Sequence, residues 1–460
     1  MTQLQRLAAV GGPLLGALAY FAVIRAGLDF AVAATAAITV WTATWWVFEP
    51  VPIPVSSLLP IALFPLIGIL TPAEVGAAYG SPLILLLLGG FILSQAMQRS
   101  GVHRRLALMM LRAFGGGGRA LVFGFMVTAA TLSMWISNTA TALMLLPIAL
   151  AAVQGIDNHR LHVALLLGLA YACSIGSLGT PIGTPPNLVF MQIYAETTGS
   201  ELSFTDFMGW GIPVVVLMVP LAGLWLTRGL KGVATPRVEA PGPWRKAEVR
   251  TLIVFGLTAV GWITRKEPFG GWSEWFDLPS ANDASVALLA VIVTFLVPSG
   301  DKPGDKLMDW KTASEIPWGI LLLFASGICI AKAFVSSGLS EIIGSTVAGA
   351  ILAWPLLVTI GVLAITVTFM TEITSNTATA TLLMPILAAA ATSAGIDPRV
   401  IMLPAAMSAS CAFMLPVATG PNAVVFSSGK VRIAEMARAG IFINLAGVLV
   451  ITALNYLYAA

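Results

Sequence analysis

Charged side chains are scarce in this sequence. Asp, Glu, Lys and Arg make up 10% of its 460 residues, whereas soluble domains usually contain about 25%. Hydrophobic residues make up 58%, and the mean hydropathy is +0.91. A water-soluble globule of this composition would have too little polar surface, so we expect a membrane protein. The net charge of +3 is small, and the basic residues are scattered among short loops, which argues against a nucleic-acid partner.

Cysteine and histidine are also scarce, with three residues of each. Cys173, Cys329 and Cys411 lie in apolar stretches without the spacing of a metal site, and we interpret them as small core residues. The sequence has no His-Glu-x-x-His motif, no Gly-x-Ser-x-Gly motif and no cysteine–histidine pair. An intramembrane enzyme is therefore not favoured, and no catalytic residue is predicted.

Apolar runs of about 20 residues, the length that crosses a bilayer, recur along the whole chain. They predict spans at 8–25, 29–48, 54–71, 81–99, 161–178, 211–229, 247–265, 284–299, 318–336, 398–415 and 436–458. Two further apolar regions, 120–155 and 352–394, are each interrupted by Ser-Asn-Thr, and we interpret them as re-entrant hairpins. The predicted fold class is an all-α polytopic membrane protein with about 11 transmembrane helices plus two re-entrant helical hairpins.

Loop charges predict the orientation of the chain. With both interrupted regions as hairpins and the N-terminus in the cytoplasm, the outer loops are mostly acidic. The cytoplasmic loops then hold Arg104, Arg105, Arg112, Arg119, Arg228, Lys231, Arg237, Arg245, Lys246, Arg250, Lys430, Arg432 and Arg438. This is the positive-inside bias. We expect a multi-pass protein of the bacterial inner (plasma) membrane, with the C-terminus outside and a first span that is retained, although Ala17-Leu18-Ala19 faintly resembles a signal-peptide cleavage site.

Ordered motifs recur in the two halves of the chain. Ser-Asn-Thr-Ala-Thr-Ala begins at Ser137 and again at Ser375, 238 residues later. The same offset separates Ser133 from Thr371, Pro147 from Pro385, and Cys173 from Cys411. Gly-Thr-Pro-Pro-Asn ending at Asn187 is answered by Ala-Thr-Gly-Pro-Asn ending at Asn422. Because five predicted spans separate the hairpins, the halves would be inverted repeats, which is typical of secondary transporters with a midplane binding site.

Four breaks in the helices would lie at membrane depth: the two Ser-Asn-Thr tips and the two Pro/Gly/Asn-rich stretches. Irregular backbone at that depth must be buried in protein or line a cavity. Backbone carbonyls and Asn or Ser oxygens suit sodium, while helix-start N–H groups and Thr hydroxyls suit a carboxylate. The four breaks contain no Lys, Arg or His. We therefore predict that bound sodium supplies the positive charge that a dianion needs, which couples the two.

Glu372 is the one acidic residue beside a tip. A buried membrane carboxylate is often a proton site. The matching position in the first repeat is Met134, however, so we favour a structural role for Glu372.

At these motifs the sequence resembles the divalent anion/sodium symporter family, which includes the INDY-type dicarboxylate and citrate carriers. The two Ser-Asn-Thr motifs and the stretch 409–425, ASCAFMLPVATGPNAVV, carry the resemblance, which extends over essentially the whole chain. The resemblance implies a homodimer in membrane lipid. Each protomer would have a scaffold domain and a transport domain that moves like an elevator, with Na+ as the co-transported ion at two or more sites.

The resemblance also implies site residues. A first sodium site would use Ser133, Ser137, Asn138 and the Gly183 carbonyl, and a second Thr371, Thr374, Asn376 and the Ala418 carbonyl. Substrate carboxylates would meet Asn138, Thr139, Thr184, Asn376, Thr377 and Thr419. Two positions depart from the expected pattern. Thr374 stands where a small residue contributing only its carbonyl is expected, and Gly420 stands where some relatives have proline.

The predicted organisation follows the repeats. Its parts are scaffold helices at 1–80; a first inverted repeat at 81–230, with a hairpin at 120–155 and a broken helix at 161–198; a cytoplasmic linker and connecting scaffold helices at 231–316; and a second inverted repeat at 317–460, with a hairpin at 352–394, a broken helix at 398–428 and a last helix at 436–458.

The favoured function is sodium-coupled symport of C4-dicarboxylates resembling succinate. Three alternatives stay open: a sodium-independent dicarboxylate exchanger of the same fold, a symporter of sulfate or another oxyanion, and, least favoured, an intramembrane enzyme. Intact hydroxyl and amide groups in both halves favour the sodium-coupled symporter over the exchanger. A tip in each half suits a two-headed dicarboxylate better than a compact oxyanion. A channel is disfavoured, because inverted repeats with re-entrant tips usually serve alternating access.

Overall fold

The computed structural model describes residues 3–114, 117–230, 241–266 and 270–459. Within these ranges every regular element is a helix, apart from an isolated antiparallel bridge between Pro298 and Lys306. The all-α fold class predicted from the sequence is therefore confirmed. Of the predicted cytoplasmic linker, residues 231–240 lie outside the described residues.

The chain begins with five helices, and a further group of four connects the two repeats. The first group is α1 Gln3–Arg25, α2 Phe30–Phe48, α3 Ile53–Ser56, α4 Leu58–Leu66 and α5 Pro72–Tyr79. The connecting group is α13 Lys246–Ile263, α14 Gly271–Trp275, α15 Asp283–Leu296 and α16 Trp310–Ala313.

Each repeat contains seven helices in the same order. The first repeat consists of α6 Pro82–Ser100, α7 Val102–Ala113, α8 Gly118–Ser133, α9 Asn138–Ala152, α10 His159–Gly176, α11 Pro185–Thr198 and α12 Phe204–Leu226. The second consists of α17 Trp318–Ser337, α18 Leu339–Leu352, α19 Leu356–Met370, α20 Asn376–Ser393, α21 Arg399–Ala409, α22 Gly420–Ser427 and α23 Ile433–Ala459. Gly101 and Gly338 make the equivalent sharp joints after α6 and α17, with φ of 77° and 79°, which glycine adopts without strain.

Seven helical stretches in the described part of the chain are long and apolar enough to cross a membrane. They are Gln3–Arg25, Phe30–Phe48, Pro72–Ser100, His159–Gly179, Phe204–Leu226, Trp318–Ser337 and Ile433–Ala459. Other apolar helices are shorter, among them the hairpin helices α8, α9 and α19 and the half-helix α21. The predicted span at 54–71 consists of α3 and α4, which ends at Leu66.

The two repeats pack into each other. The hairpin helix α9 contacts α10 of its own repeat and α22 of the other. The hairpin helix α20 contacts α21 of its own repeat and α11 of the first. Each hairpin therefore contacts the broken helix of its own repeat and that of the other repeat, which brings the four helix breaks together.

Two buried ion pairs fix the connecting helices. Arg105 of α7 lies 2.8 Å from Glu248 of α13, and its guanidinium also donates to the carbonyls of Gly242 and Pro243. Arg265 lies 2.6 Å from Asp283 where α13 and α15 approach. Because removal of one partner leaves a buried charge uncompensated, these pairs are sensitive anchors between elements.

Candidate functional site

A cavity of about 740 Å³ lies where the four breaks converge. Each break lines it with consecutive residues: Ser137–Asn138–Thr139, Gly183–Thr184–Pro185, Thr374–Ser375–Asn376–Thr377 and Ala418–Thr419–Gly420–Pro421. None of the described residues lining the cavity is Lys, Arg or His. An anion held here would therefore depend on backbone dipoles, neutral donors and any cation bound beside it.

Three oxygen atoms meet behind the first tip. Ser133 is fully buried, and its Oγ lies 2.7 Å from Asn138 Oδ1 and 2.7 Å from the Cys173 carbonyl oxygen. The Asn138 amide nitrogen donates to Ser177 Oγ at 3.2 Å, which turns the amide oxygen toward Ser133. One hydroxyl hydrogen cannot satisfy both acceptors at once, so this first oxygen triad has the surplus of oxygen lone pairs that a hard cation uses.

The second tip repeats the arrangement. Thr371 is fully buried, and its Oγ1 lies 2.7 Å from Asn376 Oδ1 and 2.9 Å from the Ala409 carbonyl oxygen. This second oxygen triad matches the first, with a threonine hydroxyl in place of a serine. The carbonyl of Cys173 is thus answered by that of Ala409, which lies two residues before Cys411, the residue at the matching sequence offset. Cys411 follows the end of α21, whereas Cys173 lies within α10.

Asparagines hold the two broken helices in shape. Asn187 Nδ2 donates to the carbonyls of Ser177 at 3.0 Å and Thr180 at 2.8 Å. Asn422 Nδ2 donates to the carbonyls of Ala412 at 3.2 Å and Leu415 at 3.0 Å. Both asparagines are fully buried. Each one ties the start of a half-helix back to the irregular chain before it, so the breaks have a defined geometry.

Four helices begin at the cavity. α9 starts at Asn138 and α20 at Asn376, while Thr184 and Thr419 precede α11 and α22 as N-cap residues. The first N–H groups of a helix have no partner within it, and the helix dipole places partial positive charge there. The cavity is therefore suited to an anion although no basic side chain lines it.

Gly420 of the second repeat lies directly against Thr139 of the first. A Cβ atom at this position would collide with Thr139 Oγ1 of the first tip. Glycine at this position, where some relatives are expected to have proline, has no Cβ atom. It therefore lets α22 approach α9 and brings Thr139 beside the second break.

The structure places the predicted site residues in two layers. All six predicted substrate residues line the cavity, as do six of the predicted sodium ligands: Ser137, Asn138, Gly183, Thr374, Asn376 and Ala418. Ser133 and Thr371 lie behind the cavity in the oxygen triads. The Thr374 hydroxyl donates to the Met370 carbonyl at 2.9 Å and lies 2.7 Å from Thr379 Oγ1, so it is used inside its own hairpin.

Glu372 has partners that the sequence did not reveal. Its buried carboxylate accepts from the backbone N–H groups of Phe413, Met414 and Leu415 at 2.7–3.1 Å. It also accepts from Asn444 Nδ2 of α23 at 2.7 Å. The carboxylate therefore clamps the second break between its hairpin and the last helix, in agreement with the structural role favoured from the sequence. The only sequence signal was an acid beside a tip, and nothing pointed to Asn444.

An all-helical fold of two repeats, each with a hairpin tip and a broken helix at one cavity, defines a secondary transporter. Residues 43–403 match the family described as citrate transporter. The chain belongs to this family and, with the relatives described next, to the divalent anion/sodium symporters, as its motifs predicted.

Curated relatives match nearly the full length of the chain. It is 38% identical over 443 residues to the sodium-dependent dicarboxylate transporter SdcS of Staphylococcus saprophyticus, covering 91% of this chain and 85% of the relative. It is also 38% identical over 445 residues to SdcS of Staphylococcus aureus strain NCTC 8325, covering 91% and 84%.

A solved structure supports the fold. The YdaH transporter of Alcanivorax borkumensis aligns with a TM-score of 0.61 at 17% identity, covering 86% of this chain and 87% of that one. At this identity the likeness concerns the fold alone.

Proposed function

We propose that this chain is a sodium-coupled symporter of C4-dicarboxylates resembling succinate. The observation that carries the proposal is the pair of oxygen triads, Ser133–Asn138–Cys173 and Thr371–Asn376–Ala409, beside a cavity onto which four helix N-termini open. The names of the two staphylococcal relatives agree with it.

Sodium is cargo in this mechanism. One ion binds beside each triad, with Asn138 and Asn376 shared between ion and substrate. The remaining predicted ligands, Ser137, Thr374 and the carbonyls of Gly183 and Ala418, complete the two sites. Because the described lining holds no basic side chain, the ions supply the charge that makes dianion binding favourable, and so they bind first.

The two carboxylates of the substrate use the two tips. One accepts from the Thr139 hydroxyl and the start of α9, the other from the Thr377 hydroxyl and the start of α20, with Thr184 and Thr419 as further donors. A compact tetrahedral oxyanion has no second carboxylate that could contact the second tip. The arrangement therefore favours a dicarboxylate over sulfate.

Alternating access requires the site to reach both sides of the membrane. The binding cavity extends to Pro317 and Ile320 at the start of α17, while a separate cavity of about 630 Å³ is lined by Lys332 and Val335 near its other end. In the proposed topology the first end is cytoplasmic, so this is an inward-facing state. Movement of the tips and broken helices against α17 would be an elevator step within each protomer of a homodimer in the inner membrane. The N-terminus would lie in the cytoplasm and the C-terminus outside.

Alanine variants at the two triads test the site. Asn138→Ala and Asn376→Ala each remove an amide oxygen that serves both ion and substrate. We expect each purified variant to lose sodium-dependent binding of labelled succinate while it remains folded. Asn158→Ala is the matched control, because Asn158 caps α10 by accepting from the Leu161 N–H and is absent from the cavity lining. Succinate binding by either triad variant at the level of the control would refute the site assignment.

A further inference from the structure

A second polar pocket lies away from the transport site, at the ends of α10, α12 and α23 that carry basic loops. Its volume is about 520 Å³. The polar lining residues are His159, Arg160, Arg228, Glu435 and Arg438. The proposed transport mechanism gives this pocket no role.

The charge of this pocket is not balanced by the described chain. Glu435 is its one carboxylate, and it is already engaged by Arg432 at 2.7 Å and by His159 at 2.8 Å. Among the described residues, Arg160, Arg228 and Arg438 form no ion pair, and all three are exposed. Three guanidinium groups therefore line one pocket without an ion-pair partner among the described residues. Guanidinium forks match the oxygen geometry of phosphate esters.

The rest of the lining is apolar and continues into an exposed apolar surface. Val163 and Leu167 of α10 form one wall of the pocket. Trp225 carries the Arg228 guanidinium 3.3 Å above its ring and stacks on Phe442 of α23. Tryptophan at the end of a membrane helix is typical of the headgroup level.

The neighbouring faces of α12 and α23 support this placement. Leu221 and Leu224 of α12 are 41% and 58% exposed, and Ile441 and Leu445 of α23 are each 43% exposed. These side chains extend the apolar wall from the pocket along the two helices. A free anion would use only the arginines, whereas a phospholipid would use both the arginines and this surface.

We propose that this pocket binds the headgroup of an anionic phospholipid from the membrane leaflet on the basic side. Basic pockets between helices on the cytoplasmic side are suited to such headgroups. The phosphate would sit among Arg160, Arg228 and Arg438, and the acyl chains would lie along α12 and α23. This lipid site is independent of the substrate cavity and of the transported species.

Lipid retention by the purified full-length protein tests the proposal. Phosphatidylglycerol and phosphatidylcholine are titrated separately, and bound lipid is counted by native mass spectrometry together with the thermal stability. We expect wild type to bind phosphatidylglycerol in clear preference. The triple variant Arg160→Gln, Arg228→Gln and Arg438→Gln should lose that preference, with each single change weakening binding about fivefold.

A charge-matched control separates the pocket from general surface charge. The triple variant Arg6→Gln, Lys302→Gln and Lys311→Gln removes the same charge at exposed positions outside the pocket. We expect it to bind phosphatidylglycerol like wild type. If the pocket triple variant does not fold, the single variants Arg160→Gln and Arg438→Gln give the same comparison.

Two results would overturn the proposal. One is equal loss of phosphatidylglycerol in the control and pocket variants, which would make the effect one of bulk charge. The other is stabilisation of wild type by soluble glycerol 3-phosphate at the concentrations at which phosphatidylglycerol acts, which would make the occupant a free anion rather than a lipid.

Discussion

Asn138 and Asn376 each face a buried hydroxyl group five residues earlier in the chain. These hydroxyl–amide pairs could be predicted, because both partners lie in one repeated motif. Their carbonyl partners could not: Cys173 is 40 residues from Ser133, and Ala409 is 38 residues from Thr371. A backbone carbonyl leaves no mark in the sequence, so its position depends on how α10 and α21 end. The carbonyls of Gly183 and Ala418 stay predicted ligands.

Thr139 and Thr377 separate substrate binding from ion binding. Both line the cavity, and neither belongs to an oxygen triad. Loss of a hydrogen bond to a charged group costs about 1.5–3 kcal/mol. We therefore expect Thr139→Ala and Thr377→Ala each to raise the succinate concentration for half-maximal uptake about tenfold or more, with sodium dependence little changed.

The control for these changes is Thr366→Ala. Its exposed hydroxyl donates only to the Val362 carbonyl of its own helix, so uptake should match wild type. A larger effect on sodium dependence than on succinate dependence would mean that the threonines serve the ions instead.

Gly420 tests the close approach of the two repeats. Overpacking a tight contact costs about 1–3 kcal/mol. Gly420→Ala would push against Thr139, and we expect roughly tenfold weaker succinate binding, measured by equilibrium binding with sodium present. In a Thr139→Ala background the clash is removed, so Gly420→Ala should weaken succinate binding less than it does in wild type.

Gly256→Ala is the matched control, because a Cβ there would meet no atom within 4 Å. Strictly additive effects of Gly420→Ala and Thr139→Ala would contradict the proposed contact.

At the scale of elements, the repeated order of seven helices follows from the repeated motifs. The single offset of 238 residues does not extend to the ends of the broken helices, however. The broken helices are related by 235 residues at Asn187 and Asn422, and α21 has 11 residues where α10 has 18. Insertions between elements change such offsets while contacts preserve the equivalence, which is why the two cysteines match in sequence but not in structure.

Glu372 connects three elements, α19, the second break and α23. Its partners lie 41–43 and 72 residues away in the chain, beyond the reach of local sequence patterns. Glutamine at this position would turn an N–H group toward N–H donors, and each unsatisfied buried donor costs about 1–3 kcal/mol. We expect Glu372→Gln to lower thermal stability and to weaken sodium-dependent succinate binding together.

Glu341→Gln, at an exposed position of α18, is the control and should leave both properties unchanged. If Glu372→Gln kept wild-type stability but removed a pH dependence of transport, Glu372 would be a proton site and the clamp interpretation would fail.

At the scale of the whole molecule, composition and hydropathy predicted the fold class and the motifs predicted the family, and both predictions are confirmed. Hydropathy was less informative about where helices end. The predicted span at 398–415 ends as a helix at Ala409, and the one at 54–71 is divided between α3 and α4. Apolar residues fill a broken segment as readily as a continuous one when protein surrounds it, so breaks are visible only through their Pro, Gly and Asn residues.

The most direct measurement of the central claim is uptake of labelled succinate into proteoliposomes without internal substrate, under an inward sodium gradient and, in parallel, an equal potassium gradient. The two oxygen triads and the lack of a basic side chain in the described cavity lining predict concentrative uptake with sodium alone. Absence of net uptake, with rapid labelling only after the vesicles are preloaded with dicarboxylate in either salt, would contradict sodium coupling and assign the chain to exchange.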